Sequence, residues 1–262
     1  MIDIHSHILP NVDDGSKSFE DSIEMVRIAS EHGYRKIVAT PHYISEKYTS
    51  RYKENLEIVK LLNKRLINNN IDVEILLGTE VYFDMNIFAS LKNGEIGTIN
   101  NSKYILIETA LRNLPLGFDD YLFKLQQAGY KIIIAHLERY LHWTDKIEYV
   151  QELFNRNIYF QMNIGSLNGN YGSKVKRNAE RLLDNNLIHL VGFDGHSVNQ
   201  YKKTLENSIY LLKEYVDEET FEVLTRTNPE NVINDKLIID VKNKKKKSIF
   251  KNLKNKLRGK HR

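Results

Sequence analysis

Histidine and carboxylate side chains recur along the first 196 residues at spacings that suit metal binding. His5 and His7 form an H-x-H pair, and Asp194 with His196 repeats that spacing far along the chain. Because side chains alternate along an extended segment, both members of such a pair lie on one side and can reach the same ion. A single pair is a weak indication, since a buried histidine is more often satisfied by a hydrogen bond.

The complete set makes the metal interpretation stronger. Five histidines and four carboxylates would meet at one site, where so many like charges repel each other and shift their pKa values. Divalent cations remove this conflict, although Asp14 also fits a solvated loop carboxylate. The predicted metal ligands are His5, His7, Asp14, His42, Glu80, Glu108, His136, Asp194 and His196.

Short β-branched apolar runs must position these side chains, and helical patterns lie between the runs. Strand followed by helix, repeated, predicts a parallel sheet with helices outside, and functional groups gather at the carboxyl ends of its strands. Each predicted strand except the sixth ends in a predicted ligand. The alternation fits a seven- or eight-unit barrel and also an open doubly wound sheet. The predicted strands are 2–5, 36–40, 73–77, 104–107, 131–135, 158–162 and 188–193.

The helical patterns carry recognisable start and stop signals. Ser18 and Asp21 resemble a capping box, Gly33 is placed to end the first helix, and Asp217 should break the last one. His189 comes near the start of a strand and should lie at the rim opposite the metal ligands. The predicted helices are 18–33, 50–69, 84–92, 118–129, 145–156, 174–186 and 201–225.

Composition excludes several classes of function. The chain has no cysteine, which rules out disulfides, thiolate zinc sites and cysteine nucleophiles. Residues 242–262 hold 11 of the 38 basic residues and no acidic one, so residues 1–241 hold 27 basic and 34 acidic residues. The pI of about 8.9 therefore reflects a basic tail, and we expect no nucleic-acid partner.

The same features suggest two parts and a location. We expect a barrel over residues 1–240 and a tail over 241–262, in which Ile249, Phe250, Leu253 and Leu257 share one helical face. The tail fits an amphipathic helix on an anionic membrane surface and a disordered segment equally well.

No apolar run approaches the ~20 residues of a membrane span. Predicted ligands begin at His5, too early for a cleavable leader, so we expect a cytoplasmic protein, peripheral at the inner membrane face if the tail binds lipid.

Several motifs, taken in order, resemble one family. They are IDIHSHILP at 2–10, VDDG at 12–15, TPH at 40–42, GTE at 78–80, AHLERY at 135–140, GSL at 165–167 and FDGH at 193–196. Together they resemble the bacterial PHP-type (polymerase and histidinol phosphatase superfamily) tyrosine-protein phosphatases of capsular and exopolysaccharide loci. The resemblance runs from residue 1 to about residue 230 and leaves the tail outside.

The resemblance implies a distorted (β/α)₇ barrel of the TIM-like kind, with three divalent ions, usually Mn²⁺, at the carboxyl ends of the strands. It also implies a phosphotyrosine protein as substrate, such as a membrane-associated bacterial tyrosine kinase, and phosphate contact by Arg139. By this analogy the ions are held by His5, His7, Glu80 and Asp194, by Glu80, Glu108 and His136, and by Asp14, His42 and His196.

Chemistry of the residues leaves some roles open. Nitrogen and oxygen ligands also suit Zn²⁺, Fe²⁺ and Mg²⁺. His42 and His196 are candidates for the general acid that protonates the leaving phenolate. The chain also departs from the family pattern at Leu137, Phe193 and Gly195, and it lacks an arginine shortly after His196. Lys202 or Lys203 could supply that charge without the bidentate fork of arginine.

Three alternatives remain at this point. A histidinol-phosphate-type small-molecule phosphatase would use similar ligands. A metal-dependent amidohydrolase also opens with H-x-H but usually places a lysine between two ions, and no strand end here supplies one. A non-catalytic binding module on a decayed barrel would lack ligands, and only the missing arginine supports it.

Overall fold

The computed structural model describes residues 1–244, and these form short parallel strands alternating with helices. The strands are β1 (Ile2–Ser6), β2 (Lys36–Ala39), β3 (His42–Tyr43), β4 (Glu74–Leu77), β5 (Glu80–Tyr82), β6 (Tyr104–Glu108), β7 (Lys131–Ile134), β8 (Tyr159–Asn163) and β9 (Leu190–Gly192). The helices are α1 (Phe19–Glu31), α2 (Tyr52–Asn68), α3 (Ile87–Lys92), α4 (Phe118–Gln127), α5 (Leu141–Thr144), α6 (Ile147–Asn155), α7 (Ser173–Asp184), α8 (Val198–Tyr215), α9 (Glu218–Glu222) and α10 (Asn228–Ile233).

The nine strand segments correspond to the seven predicted strands. β2 and β3 are parts of one strand interrupted at Pro41, which has no N–H to donate, and β4 and β5 are parts of another interrupted at Gly78. All paired strands are parallel. The last strand returns to the first, since Asp194 N donates to His5 O at 2.8 Å and His7 N donates to Gly195 O at 3.0 Å. The predicted (β/α)₇ barrel is confirmed.

Side chains on the two faces of the strands form two separate apolar clusters. One cluster lies inside the barrel and includes Ile4, Leu106 and Ile133. The larger one lies between the strands and the outer helices and includes Ile107 and Ile134. Because neighbours along a strand point to opposite faces, both faces must be apolar, which explains the continuous hydrophobic runs in the sequence.

A register shift in β1 departs from this alternation. Ile2 and Asp3 pair with Lys36 and Ile37, whereas Ser6 already pairs with Ala39, so β1 contains one extra residue. Strict alternation would put residues 4 and 5 on opposite faces, yet Ile4 belongs to the interior cluster and the side chain of His5 also points inward. The bulge therefore turns His5 toward the barrel axis above the apolar interior.

The segment after α9 closes the amino-terminal end of the barrel. A π-helical turn (Val223–Thr227) leads into α10, whose Val232 and Ile233 join the interior cluster. Asn228 is fully buried, donating from Nδ2 to the carbonyl oxygens of His189 and Ile239 at 2.9 Å each and accepting from Ile239 N at 3.0 Å. These contacts place residues 228–241 beneath the barrel, opposite the strand ends that carry the predicted ligands.

Most helices agree with the sequence predictions. Ser18 caps α1 by accepting from Asp21 N at 3.0 Å, and Asp217 breaks the last predicted helix by capping α9. That last helix begins earlier than predicted, at Val198, because Ser197 provides its cap. The short helices α5 and α10 were not predicted. Within residues 1–244 no helix has the length and apolar character to cross a membrane. The predicted tail lies outside the described residues from 245 onward.

Candidate metal centre

The nine predicted ligands come together at the carboxyl ends of the strands, around one recess. His136 and Asp194 both adopt left-handed backbone, with φ of 36° and 55°, which turns the chain sharply where their strands end. The candidate ligand atoms form three overlapping sets, and within each set all the atoms lie within 4.8 Å of one another. These sets are His5, His7, Glu80 and Asp194; His42, Glu80 and Glu108; and His7, Asp14, His42 and His196.

The first set is fully buried at the bottom of the recess. Glu80 Oε2 lies 3.1 Å from His5 Nε2 and 3.2 Å from His7 Nε2. Asp194 Oδ1 lies 3.5 Å and 3.2 Å from the same two nitrogens. Such spacings are those of neighbouring ligands on an ion with bonds of about 2.1 Å. The grouping coincides with the set implied by the family resemblance.

The second set uses the same Glu80 from another direction. His42 Nδ1 lies 3.0 Å from Glu80 Oε2 and 2.9 Å from Glu108 Oε1. His136 Nε2 lies 3.0 Å from Glu80 Oε1 and 3.8 Å from Glu108 Oε2. Glu80 Oε2 therefore lies next to ligands of both the first and the second set, and Oε1 faces His136, so this carboxylate lies between the two groups.

The third set is the most exposed. Asp14 Oδ1 lies 3.6 Å from His42 Nε2 and 3.5 Å from His196 Nε2. The ring of His7 stacks on that of His196 with centroids 4.0 Å apart. His42 contributes one ring nitrogen to this set and the other to the second set, so the two sets adjoin.

Unpartnered buried atoms indicate that cations belong in this cluster. Glu80 Oε2 and His42 Nδ1 are buried and have no hydrogen-bond partner of acceptable geometry among the described residues, despite the short distances around them. Leaving a buried carboxylate oxygen unpaired costs several kcal/mol. Burial alone would raise the pKa of Glu80, but the imidazoles of His5 and His42 outweigh it and hold that pKa well below its usual range. An anionic Glu80 among imidazole nitrogens fits divalent ions.

Two polar residues that the sequence reasoning missed orient the histidines. Asp13 Oδ2 accepts from His7 Nδ1 at 2.7 Å and from His42 N at 2.9 Å. Gln161 Oε1 accepts from His5 Nδ1 at 3.1 Å and from His136 N at 2.8 Å. In His5 and His7 the proton is therefore on Nδ1, which donates to Gln161 or Asp13. The Nε2 of each ring is left free to bind metal.

Both missed residues left a signal in the sequence. Asp13 adjoins the predicted ligand Asp14 in the Asp-Asp-Gly run, and Gly15 is required there because a Cβ at this position would collide with the carbonyl oxygen of His7. Gln161 is a fully buried amide in the middle of strand β8, between Phe160 and Met162. A buried amide in the middle of a strand needs partners, and the oxygen of Gln161 finds them in the predicted ligands His5 and His136.

Arg139 provides a cation beside the cluster. Its Nη1 lies 3.5 Å from Asp194 Oδ2, and its guanidinium lies 4.8 Å from the centroid of the Tyr171 ring. Arg139, Tyr171 and Gln200 line a recess of about 300 Å³ above the ligands. Of the two lysines considered as a second phosphate contact, Lys202 instead pairs with Glu24 at 2.9 Å. Gln200 occupies the rim at that point.

Comparison with known proteins gives a consistent family assignment. A model of the family described as capsular polysaccharide synthesis, CpsB/CapC, matches residues 1–234. Tyrosine-protein phosphatase YwqE of Bacillus subtilis is 35% identical over 225 residues, which cover 86% of this chain and 89% of that protein. Tyrosine-protein phosphatase CpsB of Streptococcus pneumoniae is 30% identical over 250 residues, covering 91% of this chain and all of that protein (100%).

A solved structure shares the whole architecture. It comes from a crystallographic study of YwqE from Bacillus subtilis and CpsB from Streptococcus pneumoniae, described there as unique metal-dependent tyrosine phosphatases. It superimposes with a TM-score of 0.86 at 33% sequence identity, covering 94% of this chain and 100% of that one.

Proposed function

This chain belongs to the CpsB/CapC family of capsular polysaccharide synthesis, and we propose that it is a metal-dependent protein-tyrosine phosphatase. One observation carries this proposal above the others. Glu80 is a fully buried carboxylate with four histidine ring nitrogens within 3.2 Å of its oxygens, three at Oε2 and one at Oε1, and Arg139 lines the recess above it. Such a centre suits attack by water on a phosphate monoester.

The nine predicted residues would hold the ions. Eight of them fall in the three sets that the geometry brings together, and His136 adjoins the second set, with its Nε2 3.0 Å from Glu80 Oε1. The second set includes His42 in the place that the family resemblance gave to His136. When bound, divalent ions supply a water of lowered pKa and neutralise charge on phosphate oxygens. Three dications against four carboxylates would leave a net charge of about +2, which attracts a phosphate dianion. We propose Mn²⁺ as the native ion; Zn²⁺, Fe²⁺ and Mg²⁺ fit the same nitrogen and oxygen donors.

The remaining catalytic groups belong to the protein itself. Arg139, held by Asp194 and by the face of Tyr171, would bind the equatorial phosphate oxygens as their charge increases. A tyrosine phenolate has a parent pKa of about 10 and therefore needs little help from an acid in leaving. His42 and His196 are our candidates for that acid, and His196 is the more exposed of the two.

We propose that the substrate is a phosphotyrosine protein, and that it is a membrane-associated bacterial tyrosine kinase controlling capsular or exopolysaccharide synthesis. The family assignment supports this substrate class. We place the reaction in the cytoplasm and propose that the basic tail brings the enzyme to the anionic inner face of the membrane. The 11 basic residues of positions 242–262 support electrostatic attraction to such a surface.

The proposed activity can be tested on the full chain stripped of metal with EDTA and reloaded with Mn²⁺. We expect phosphate release from a phosphotyrosine peptide only after reloading, with near-complete loss in H136A, whose fold is checked by circular dichroism. Full activity of H136A would eliminate the proposed centre. Faster hydrolysis of histidinol phosphate than of the peptide would favour the small-molecule alternative.

A further inference from the structure

A second recess opens beside the proposed catalytic one and contains groups that the proposed chemistry does not use. Its volume is about 440 Å³, and it shares Asp14, His42 and Glu108 with the catalytic recess. Its other walls come from the segment after β3, which contributes Lys47 and Tyr48, and from loop 109–117 after β6. Because the two recesses adjoin at these three residues, a substrate that extends from the metal centre on this side would enter the second recess.

The outer wall of this recess is cationic. Lys47 and Arg112 both line it, both are exposed, and neither makes an ion pair within residues 1–244. Lys47 Nζ lies 4.5 Å from the centroid of the Tyr48 ring, which holds the ammonium group over the recess wall. Asp84, the carboxylate of the neighbouring loop, is already bonded to Ser45 Oγ at 2.7 Å and to Asn86 N at 2.6 Å.

The floor and rim of the recess suit a peptide. Thr109 is 2% exposed, lines the recess, and its hydroxyl has no hydrogen-bond partner among the described residues. Leu111, which also lines the recess, is an apolar side chain that is 43% exposed. Leu114 and Leu116 are exposed farther along the same loop, whereas soluble proteins usually expose such residues singly.

We infer that this recess binds the substrate residues that flank the phosphotyrosine, with Lys47 and Arg112 pairing with an anionic side chain there. The inference rests on the proposed phosphatase function and adds a sequence preference to it. The anion is either an acidic residue or a second phosphotyrosine, since both offer oxygen acceptors to a guanidinium and an ammonium group. Leu111 would contact the neighbouring peptide side chains.

Binding can be measured separately from catalysis. The probes are fluorescent peptides carrying a non-hydrolysable phosphonate in place of the phosphotyrosine, flanked by acidic residues, by neutral residues or by a second phosphonate analogue of phosphotyrosine. Fluorescence anisotropy with Mn²⁺-loaded protein gives the Kd of each peptide. The test variant is K47A/R112A, and the matched control is K64A/R177A, which removes two exposed cations of the same types from α2 and α7.

We expect K47A/R112A to weaken binding of at least one anionic peptide about fivefold or more and to leave the neutral peptide within twofold of the unchanged protein. The control double variant should bind all three peptides normally. Hydrolysis of p-nitrophenyl phosphate, which cannot reach the second recess, should be unchanged in K47A/R112A. The anionic peptide whose Kd rises more in K47A/R112A identifies the bound group as a carboxylate or a phosphate.

Equal weakening of the neutral and anionic peptides, or no weakening at all, would overturn the inference. Failure of every peptide to bind while p-nitrophenyl phosphate is hydrolysed would also overturn it, and the metal-dependent hydrolase would stand. The expected binding pattern without any hydrolysis of phosphotyrosine peptides would instead contradict the proposed function.

Discussion

Glu80 organises the candidate centre at the level of single residues. Its carboxylate lies within 3.2 Å of ring nitrogens from four histidines, which come from three different strand ends. A glutamate at this position can bridge ions because both of its oxygens are free of backbone hydrogen bonds among the described residues.

Asp13 offers a test of how the histidines are oriented. In Asp13→Asn the acceptor keeps its size but loses its charge, so the imidazole of His7 becomes a weaker and less firmly held ligand. We expect the affinity for Mn²⁺ to fall about 10- to 100-fold. Isothermal titration calorimetry on metal-stripped protein measures this directly. Asp145→Asn, the same change on an exposed carboxylate paired with Lys174, is the control. An unaltered Kd in Asp13→Asn would show that His7 needs no anionic partner.

At the level of elements, β1 and the segment after α9 determine the two ends of the barrel. The bulge in β1 turns His5 inward at the metal end, and residues 228–241 seal the opposite end. At the sealed end, His189 connects strand β8 to the segment after α9. Its Nδ1 accepts from Phe160 N at 3.1 Å, its carbonyl accepts from Asn228, and its ring stacks on Phe154 at 4.8 Å.

Burial of His189 predicts a pH dependence of stability. Burial lowers the pKa of this imidazole from 6.5 to about 3, so the folded protein keeps it neutral. Between pH 6.5 and 3 the unfolded chain binds the proton and the folded one does not. The stabilising contribution is therefore complete above pH 6.5 and is lost as the pH falls, by at most about 1.4 kcal/mol per pH unit.

The comparison that isolates this effect uses His189→Asn, which keeps an acceptor for Phe160 N. Urea unfolding from pH 7 to pH 4 should give a shallower slope of free energy against pH for the variant than for the unchanged protein. Other titrating groups affect both proteins equally and cancel in the difference. Parallel curves would mean that His189 is protonated equally in both states.

For the whole molecule, the concentration of carboxylates at one end links folding to metal. Asp14, Glu80, Glu108 and Asp194 converge there, and ions bound only by the folded protein stabilise it by mass action. We expect EDTA to lower Tm and Mn²⁺ at 100 times its Kd to restore about 2.7 kcal/mol of stability per site. Thermal denaturation followed by circular dichroism checks this. H136A should respond less, and a Tm indifferent to EDTA would argue against the centre.

The end of the described chain bears on how the molecule would meet a membrane. Asn243 N donates to Asn186 Oδ1 at 2.9 Å, and Lys244 N donates to Asp217 Oδ2 at 2.6 Å. Both partners lie at the sealed end of the barrel, so Lys244, the last described residue, lies opposite the metal centre. A membrane contact near Lys244 would leave the catalytic recess facing away from the lipid.

Liposome co-sedimentation tests the role of the tail. The full chain should sediment with phosphatidylglycerol vesicles at low salt and be released by high salt, because exposed charges are screened. Truncation after Lys244 keeps the contacts of Asn243 and Lys244 and removes nine basic residues. That variant should remain in the supernatant. Equal sedimentation of both proteins, or binding to neutral vesicles, would exclude electrostatic attachment by the tail.

The sequence by itself determined the order of strands and helices and the residue types at the strand ends. Both follow from local periodicity, because a buried parallel strand must be apolar on two faces and its last residues then emerge at one rim. The sequence alone therefore assigns His5, His136 and Asp194 to a common rim, and the family resemblance suggests how they are grouped.

Only the tertiary structure decided which atoms meet. The bulge in β1, the presentation of Glu80 to two ligand groups, and the orienting contacts of Asp13 and Gln161 depend on strand register and barrel closure. The same holds for the seal formed by residues 228–241 and for the recess that joins Lys47 to Arg112. These contacts join residues far apart in the chain, and no local pattern encodes the distance between them.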